Sequence, residues 1–424
     1  YYHFRSSRTQ LATRSCRKSL LKFYEHFSDK NPEQVFVNRS ASLLRWRVFH
    51  FVNLPSMIIP ARSLSSSQFL NEADRGGIIL DVRSPGEFEL GHIKGALSWP
   101  LFTNSERAEI GTLYKQKSRE KAVDLGLHII GPKMQEMAQR GRSLFEGQTS
   151  SDGSPSRNSL LIHCWRGGMR SESLAWLLRT AGVPAVVLKG GYKAFRTYAR
   201  AEFDRKIDFA VLGGLTGSAK TDTLLELSKI PGESVIDLEG MARHFGSAFG
   251  NLEEHTQPTT EQFSNDLYSD LRSLNAWNDY SPARTRPIWV ENESRSIGVV
   301  DMPEPIFSQL ISSRCFEMNR TDKDRVSHLV QMYGEIDTEL LASAFLRIAP
   351  KLGGQNANDA LAALSQGDLA TAARIALVYY DKTYAHGLTK RDQVLRTDVD
   401  CRGLTPAECA LHLSSFLTDF ISPK

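Results

Sequence analysis

Apolar positions along this chain fall into short continuous runs separated by stretches of helical spacing. Leu160-Leu-Ile162 and Ala185-Val-Val-Leu188 are apolar runs of strand length, and Gly77–Arg83 and Ala96–Trp99 read as two further strands. Between them, Gln68–Asp74, Ser105–Leu113, Lys121–Arg140 and Glu172–Arg179 carry the spacing of helices packed on a sheet. Ser84–Ala96 is rich in turn residues, and residues 147–158 have Ser, Gly and Pro but no apolar run, which predicts a surface loop. Fully apolar strands alternating with helices predict an open, mostly parallel sheet covered on both faces. The pattern then starts again. Asp208-Phe-Ala-Val-Leu-Gly213, Glu233–Asp237 and Arg286–Glu291 are strands, the first followed by a Gly-rich turn and a helix start. Residues 320–424 read as helices over Leu340–Ile348, Asp359–Leu364, Leu369–Tyr380 and Pro406–Ile421, with breaks at Gly353-Gly354 and Gly387. The expected fold class is therefore α/β throughout, as one sheet domain over residues 67–205 and a second over 206–424 with a helical C-terminal part. A length of 424 residues suits two or three domains.

Composition is that of a globular chain, 41% hydrophobic and 24% charged. The net charge of +4 misleads, because residues 1–66 hold eleven Lys and Arg against three Asp and Glu, leaving the remainder at −4. Net charge thus gives no support for nucleic-acid binding, and any RNA contact must come from a local patch. Residues 1–66 are rich in Arg and Ser and poor in acids, and the chain does not begin with Met. Two readings stay open for this extension: an organelle transit segment, placing the protein in a mitochondrion or plastid, or upstream sequence with Met57 as the start of a cytoplasmic protein. Disorder is expected either way. No run of eighteen apolar residues is present, so no membrane partner is expected. The five cysteines show no metal-ligand spacing, no metal site is expected from them, and a reducing compartment suits them.

One cysteine stands apart. Cys164 follows the Leu160–Ile162 strand and opens Cys164-Trp-Arg-Gly-Gly-Met-Arg170-Ser171, which leads into a helix. Positive potential from the helix N-terminus, Arg166 and Arg170 lowers a thiol pKa there, and the bare backbone of Gly167 and Gly168 can turn its N–H groups onto an anion. His163-Cys164, five residues and Arg170-Ser171 also fit the loop of cysteine-dependent phosphatases, which leaves that activity as an alternative. Past the second strand run, Lys189, Lys193, Arg196, Arg200, Arg205 and Lys206 interleave with Tyr192, Phe195 and Tyr198. That pattern serves either a nucleic-acid backbone or a solvated helix face whose aromatics lie in the core.

The second chemical stretch is Gly214-Leu-Thr216-Gly217-Ser-Ala219-Lys220-Thr221. It meets the phosphate-loop pattern, in which backbone N–H groups and a Lys wrap phosphates at a helix start, except that Ala219 replaces the second Gly. A methyl there either crowds the phosphate or demands a backbone angle that Ala dislikes. Gly214, Thr216, Gly217, Lys220 and Thr221 are the expected diphosphate ligands. Asp237, Glu239, Glu291 and Glu293 stand at strand C-terminal ends, where ligands bind in open α/β sheets, and could hold Mg²⁺ against a diphosphate; otherwise they cap helices and pair with Arg243 or Arg295.

Asp81-Val-Arg83, Glu87-Phe88, Gly91-His92-Ile93-x-Gly95-Ala96, the Cys164 loop and Gly190-Gly191-Tyr192 together resemble a rhodanese domain. More narrowly, the Cys164–Ser171 loop with Gly111-Thr-Leu-Tyr-Lys-Gln116, Asp237-Leu-Glu-Gly240, Glu291-Asn-Glu-Ser-Arg295 and Tyr379-Tyr-Asp-Lys-Thr-Tyr384 resembles the tRNA 2-selenouridine synthases. The resemblance spans roughly residues 67–424 with the motifs in the family's order. It implies a rhodanese domain fused to a P-loop domain, and an enzyme converting wobble 2-thiouridine of Lys, Glu and Gln tRNAs to 2-selenouridine through S-geranyl-2-thiouridine. It further implies geranyl diphosphate on the P-loop and Cys164 as carrier of selenium from selenophosphate, with an enzyme supplying that donor as a partner. Arg166, Gly167, Gly168, Arg170 and Ser171 then form the anion nest, supported by Asp81 and Arg83, while the acids and Arg295 serve the second site. A sulfur-relay protein passing persulfide onward is the second alternative, because Ala219 leaves the P-loop in question. The aromatics of 379–384 line a pocket or pack a core.

Overall fold

The computed structural model describes residues 63–147, 158–244, 249, 256–280, 282–389 and 391–421. The expected extension before residue 63 and most of the loop over 147–158 lie outside the described residues. The first half runs β1 (Ser63–Leu64), α1 (Ser66–Asp74), β2 (Ile79–Asp81), α2 (Pro85–Leu90), β3 (Leu97–Ser98), α3 (Asn104–Gln116), α4 (Arg119–Ile130), α5 (Met134–Glu146), β4 (Leu160–His163), α6 (Met169–Thr180), β5 (Ala185–Leu188) and α7 (Gly191–Glu202). Its five strands pair in parallel in the order β1-β5-β4-β2-β3. The central strands β2, β4 and β5 are buried along their whole length, as helices on both faces require. β4 thus delivers Cys164 to the middle of the sheet's C-terminal edge.

Local chemistry explains two departures from expectation. The turn-rich passage holds helix α2, started by Pro85 and by Glu87 accepting from the Ser84 N–H at 3.1 Å. The single helix expected over Lys121–Arg140 is two, α4 and α5, because Gly131-Pro132 forces a 3₁₀ turn where Pro supplies no N–H. β1 also extends the sheet before residue 67, the boundary expected from the pattern.

The second half runs β6 (Phe209–Gly213), α8 (Lys220–Leu227), β7 (Val235–Ile236), α9 (Leu238–Ala242), α10 (Thr260–Ser273), β8 (Ile288–Glu291), β9 (Ser296–Ile297), β10 (Val300–Asp301), α11 (Glu304–Ser312), β11 (Arg314–Asn319), α12 (Asp322–Tyr333), α13 (Thr338–Leu352), α14 (Gly354–Ser365), α15 (Leu369–Leu388), β12 (Arg396–Asp400) and α16 (Pro406–Ile421). Its parallel sheet has the order β12-β11-β6-β8-β7, with β9 and β10 as a separate antiparallel pair. The region after residue 320 is therefore not wholly helical. β12 is an edge strand, Arg-Thr-Asp-Val-Asp, with only Val399 buried, so no apolar run announces it. Gly387 sits inside the last turn of α15 rather than breaking it. No helix of the described residues is long and apolar enough to cross a membrane.

The halves share one hydrophobic core, in which Phe69, Tyr192, Phe195 and Phe203 pack with Phe263, Leu267, Tyr268 and Ile306. At this junction Arg196, 8% exposed, donates to Asn265 Oδ1 at 2.5 Å and Ser264 Oγ at 3.3 Å. Tyr192 donates to Glu261 Oε1 at 2.8 Å, and Asn265 Nδ2 donates to the Tyr192 hydroxyl and to the His92 carbonyl, each at 2.8 Å. Arg205 pairs with Asp279 and Glu202. The run is thus divided: Tyr192, Phe195 and Arg196 form a seam between the halves, while Lys189, Lys193, Arg200 and Lys206 stay exposed, as on a solvated helix face whose aromatics lie in the core.

Candidate active sites

Cys164 lies where β4 gives way to a loop capped by α6, with Gly168 at the N-cap. The loop is tight because another backbone lies against it: the Tyr192 N–H donates to the Cys164 carbonyl at 2.8 Å and the Lys193 N–H to the Trp165 carbonyl at 3.0 Å. A side chain at Gly167 (φ +64°) would begin 2.5 Å from the Leu188 carbonyl oxygen, so the position requires glycine on both conformational and steric grounds. Gly191, at φ +62°, is constrained in the same way from the opposite side.

Cys164 is only 3% exposed. Burial alone would push its pKa up, but the Ser171 hydroxyl at 3.3 Å and the N–H groups of Ser171, Arg166 and Gly168 outweigh it, and the net shift is downward. Arg166 contributes this N–H while its side chain is exposed. The fully buried Ser171 hydroxyl lies within reach of the Gly168 carbonyl, at 3.0 Å, as well as of the sulfur, and its single hydrogen serves one of the two at a time. Arg170 is placed differently from expectation. Its guanidinium donates to Glu87 Oε2 at 2.9 Å, and although burial pushes Glu87 up, Arg170, the Ser84 N–H and Arg107 bring that carboxyl to about 2. The arginine that a phosphatase loop would lay on its phosphate is thereby committed to a carboxylate.

Asp81 and Arg83 are buried beneath the loop. Arg83 Nη2 donates to Asp81 Oδ2 at 2.6 Å and to the Gly91 carbonyl at 2.6 Å, and its guanidinium lies 3.8 Å from the Tyr192 ring centroid and 6.0 Å from that of Trp165. The pair supports the aromatic side of the loop rather than touching the sulfur. His163 is neutral there, since burial takes its pKa to about 4 against the opposing pull of Asp81.

The second site follows β6, the central strand of the second sheet. Gly214 (φ +147°) and Gly217 (φ +80°) turn the loop, and Lys220 starts α8 with Nζ on the Gly214 carbonyl at 2.8 Å. Ala219 resolves the sequence ambiguity: it occupies the left-handed region at φ +59°, ψ +39°. A left-handed alanine costs about 1–2 kcal/mol. Ala219→Gly is accordingly expected to stabilise the protein by about 1 kcal/mol, after the glycine's entropic cost, in a chemical unfolding titration.

Thr221 donates to Glu239 Oε2 at 2.9 Å, Asp237 caps α9 by accepting from the Gly240 N–H at 2.7 Å, and Glu291 Oε2 accepts from the Leu238 N–H at 3.1 Å. Glu291 is fully buried and its other oxygen has no hydrogen-bond partner. Burial first, then the neighbouring carboxylates, pushes Glu291 well up, and burial with Glu239 takes Glu293 to about 8. Glu239 and Glu293 share a hydrogen bond, so the acids meet as proton-sharing carboxyls. Among the described residues, no group of three or more His, Cys, Asp and Glu is placed to hold a metal ion. Arg295 pairs with Glu304 at 2.9 Å.

Glu293 holds its proton in the folded state between about 4.5 and 8, whereas in the unfolded chain it has lost it above about 4.5. The folded state therefore binds more protons across that window, and stability falls as pH rises through it. Glu293→Gln is expected to flatten the stability profile between pH 4.5 and 8, measured by unfolding midpoints along a pH series.

Residues outside the motif complete this site. The Gly214 N–H donates to the Tyr384 hydroxyl at 2.7 Å, and that hydroxyl donates to the buried Glu317 at 2.7 Å. Arg325, 1% exposed, donates from Nε to the Thr216 carbonyl at 2.9 Å and is held by Asp381. The P-loop opens on a cleft of about 970 Å³ whose lining holds Lys220, Thr221, Glu239 and Glu293, further cations such as Arg347 and Lys351, and the apolar Phe307, Ile311, Leu329 and Met332. Such a cleft takes a ligand with an anionic head and an apolar tail.

Comparison with known proteins agrees with both halves. The model of the tRNA 2-selenouridine synthase AAA domain matches residues 207–403, and that of the rhodanese-like domain matches residues 65–198. The tRNA 2-selenouridine synthase of Bdellovibrio bacteriovorus is 32% identical over 372 residues, covering 78% of this chain and 94% of that protein. That of Cupriavidus necator is 32% identical over 351 residues, covering 75% and 90%. Among solved structures, the N-terminal domain of a putative ATP/GTP binding protein from Clostridium difficile is 33% identical, covering 32% of this chain and 97% of that one, with a TM-score of 0.28.

Proposed function

Because this chain belongs to the tRNA 2-selenouridine synthase family, we propose that it replaces the sulfur of wobble 2-thiouridine in tRNA by selenium, in two steps served by its two sites. The observation that carries the division is the pairing of a thiol-lowering nest with a separate P-loop cleft on one shared core. In the cleft, Lys220 and the P-loop N–H groups bind the diphosphate of geranyl diphosphate and the apolar lining takes its chain. The thiocarbonyl sulfur attacks the allylic carbon, a C–S bond forms, and the C–O bond to diphosphate breaks. Alkylation turns a poor leaving group into a good one.

At the other site, the Cys164 thiolate attacks C2, so that a C2–S(Cys) bond forms and the bond to the geranylated sulfur breaks with geranylthiolate leaving. The selenium of selenophosphate held by the nest then attacks C2, the C2–Se bond forms as the Cys164 thiolate leaves, and water breaks the P–Se bond to release phosphate. Selenium enters and ends at the same oxidation level, so the exchange needs no oxidant. The substrates are the Lys, Glu and Gln tRNAs that share this wobble base. Thr221 and Glu239 form the hydroxyl–carboxylate pair with which Mg²⁺ could be held beside the diphosphate, where it would neutralise charge.

The test is mass spectrometry of nucleosides from thiolated tRNA incubated with the full chain, geranyl diphosphate and selenophosphate. Appearance of 2-selenouridine with S-geranyl-2-thiouridine as precursor supports the reading. Persulfide transfer to a partner without any change in tRNA would favour a sulfur relay instead.

A further inference from the structure

One feature of the described surface is used by neither site. Helix α3 has thirteen residues and buries none of them, although it is well capped by Thr103 and Glu106. Its inward positions Ile110, Gly111 and Leu113 are only half-buried, Ile110 against the core of the first half, so most of the helix surface faces solvent. Its end and the start of α4 carry Lys115, Lys117, Arg119 and Lys121, all exposed, against one acid, Glu120. Among the described residues, none of the four pairs with a carboxylate, whereas nearby Arg107 and Lys133 do. This is a local positive patch on a part of the chain whose net charge is −4.

The patch is joined to the thiol site. Arg119 Nη2 lies 3.9 Å from Met169 Sδ at the first turn of the cysteine helix, and Glu87 ties Arg107 of α3 to Arg170 of the cysteine loop. Three large apolar side chains remain uncovered along this path: Tyr114 at 53%, Met169 at 49% and Trp165 at 38% exposure. Trp165 is backed by Tyr192, 5.8 Å away between ring centroids, so its ring is held rather than loose. Unpaired cations interleaved with exposed aromatic rings match the backbone charge and splayed bases of a single-stranded RNA loop.

We propose that the α3–α4 junction, continued by Trp165, is the surface that receives the anticodon loop, with Lys115, Lys117 and Lys121 on phosphates and Tyr114 and Trp165 on unstacked bases beside Cys164. This rests on the reading that tRNA is the substrate. Filter binding of thiolated tRNA to the full chain between 50 and 200 mM salt tests it, comparing wild type with the triple variant Lys115→Gln, Lys117→Gln, Lys121→Gln. Arg119 stays, so its contact with Met169 is kept. The triple variant is expected to weaken binding at least about tenfold and to lower the slope of log Kd against log salt by about two. Tyr114→Ala, which removes no charge, is expected to raise KM for tRNA several-fold while kcat and the salt slope hold. Alkylation of Cys164 by iodoacetamide at wild-type rate in both variants shows the loop intact. Wild-type affinity and slope in the triple variant would overturn the proposal and leave the substrate reading standing. Failure of the wild-type chain to bind tRNA would instead remove the substrate reading itself.

Discussion

Cys164→Ser is expected to remove selenium transfer to tRNA, by about three orders of magnitude or more, while leaving geranylation of thiolated tRNA intact. The serine hydroxyl would keep the approximate shape of the loop and accept the same N–H groups from Arg166, Gly168 and Ser171. What it lacks is an accessible anion, since a hydroxyl does not ionise near neutral pH and the nest acts by stabilising one. The P-loop cleft contains no part of this loop, so alkylation has no reason to change. Accumulated S-geranyl-2-thiouridine, quantified by nucleoside mass spectrometry, is the expected signature. Loss of both activities together would break the assignment of one step to each site.

The mirror experiment has the second-largest expected effect. Lys220→Ala removes the cation at the helix start and is expected to lower geranyl transfer by about two to three orders of magnitude in kcat/KM. Supplying tRNA that is already S-geranylated should restore selenium incorporation to near the wild-type rate, because that substrate bypasses the cleft. Normal geranyl transfer in the variant would refute the role of the P-loop. The Lys220 side chain now rests on the Gly214 carbonyl, within its own loop, so its loss leaves no buried charge behind and a folded variant is expected.

What the sequence made legible was what depends on neighbours along the chain. The apolar runs placed β2, β4, β5, β6 and β8, and the glycines around Cys164 marked a backbone that must turn its amides inward. The pattern at Ala219 narrowed the loop to two physical outcomes, and the folded chain adopts the left-handed one. What stayed hidden depends on partners far along the chain. Tyr384 meets Gly214 across 170 residues and Arg325 meets Thr216 across 109, and no local spacing signals either contact. Arg170 looked like an anion ligand until Glu87, folded in from α2, occupied it. The same reason explains the seam: Tyr192 and Arg196 carry the composition of an RNA-binding helix, and only the packing of α10 against them shows that these two are spent inside the protein. β12 failed for the opposite cause, since an edge strand needs few apolar residues.

Consider finally the core in which Phe195 and Phe203 interlock with Tyr268. A hinge between the two sheets would have to tear open an apolar interior and strand the Arg196 guanidinium without its amide partner. The Cys164 loop and the P-loop cleft are consequently joined through one packed interior, and a change in their spacing would have to break it. On the two-step reading proposed above, the handover between the sites is expected to fall to the tRNA, whose wobble nucleotide moves from one to the other.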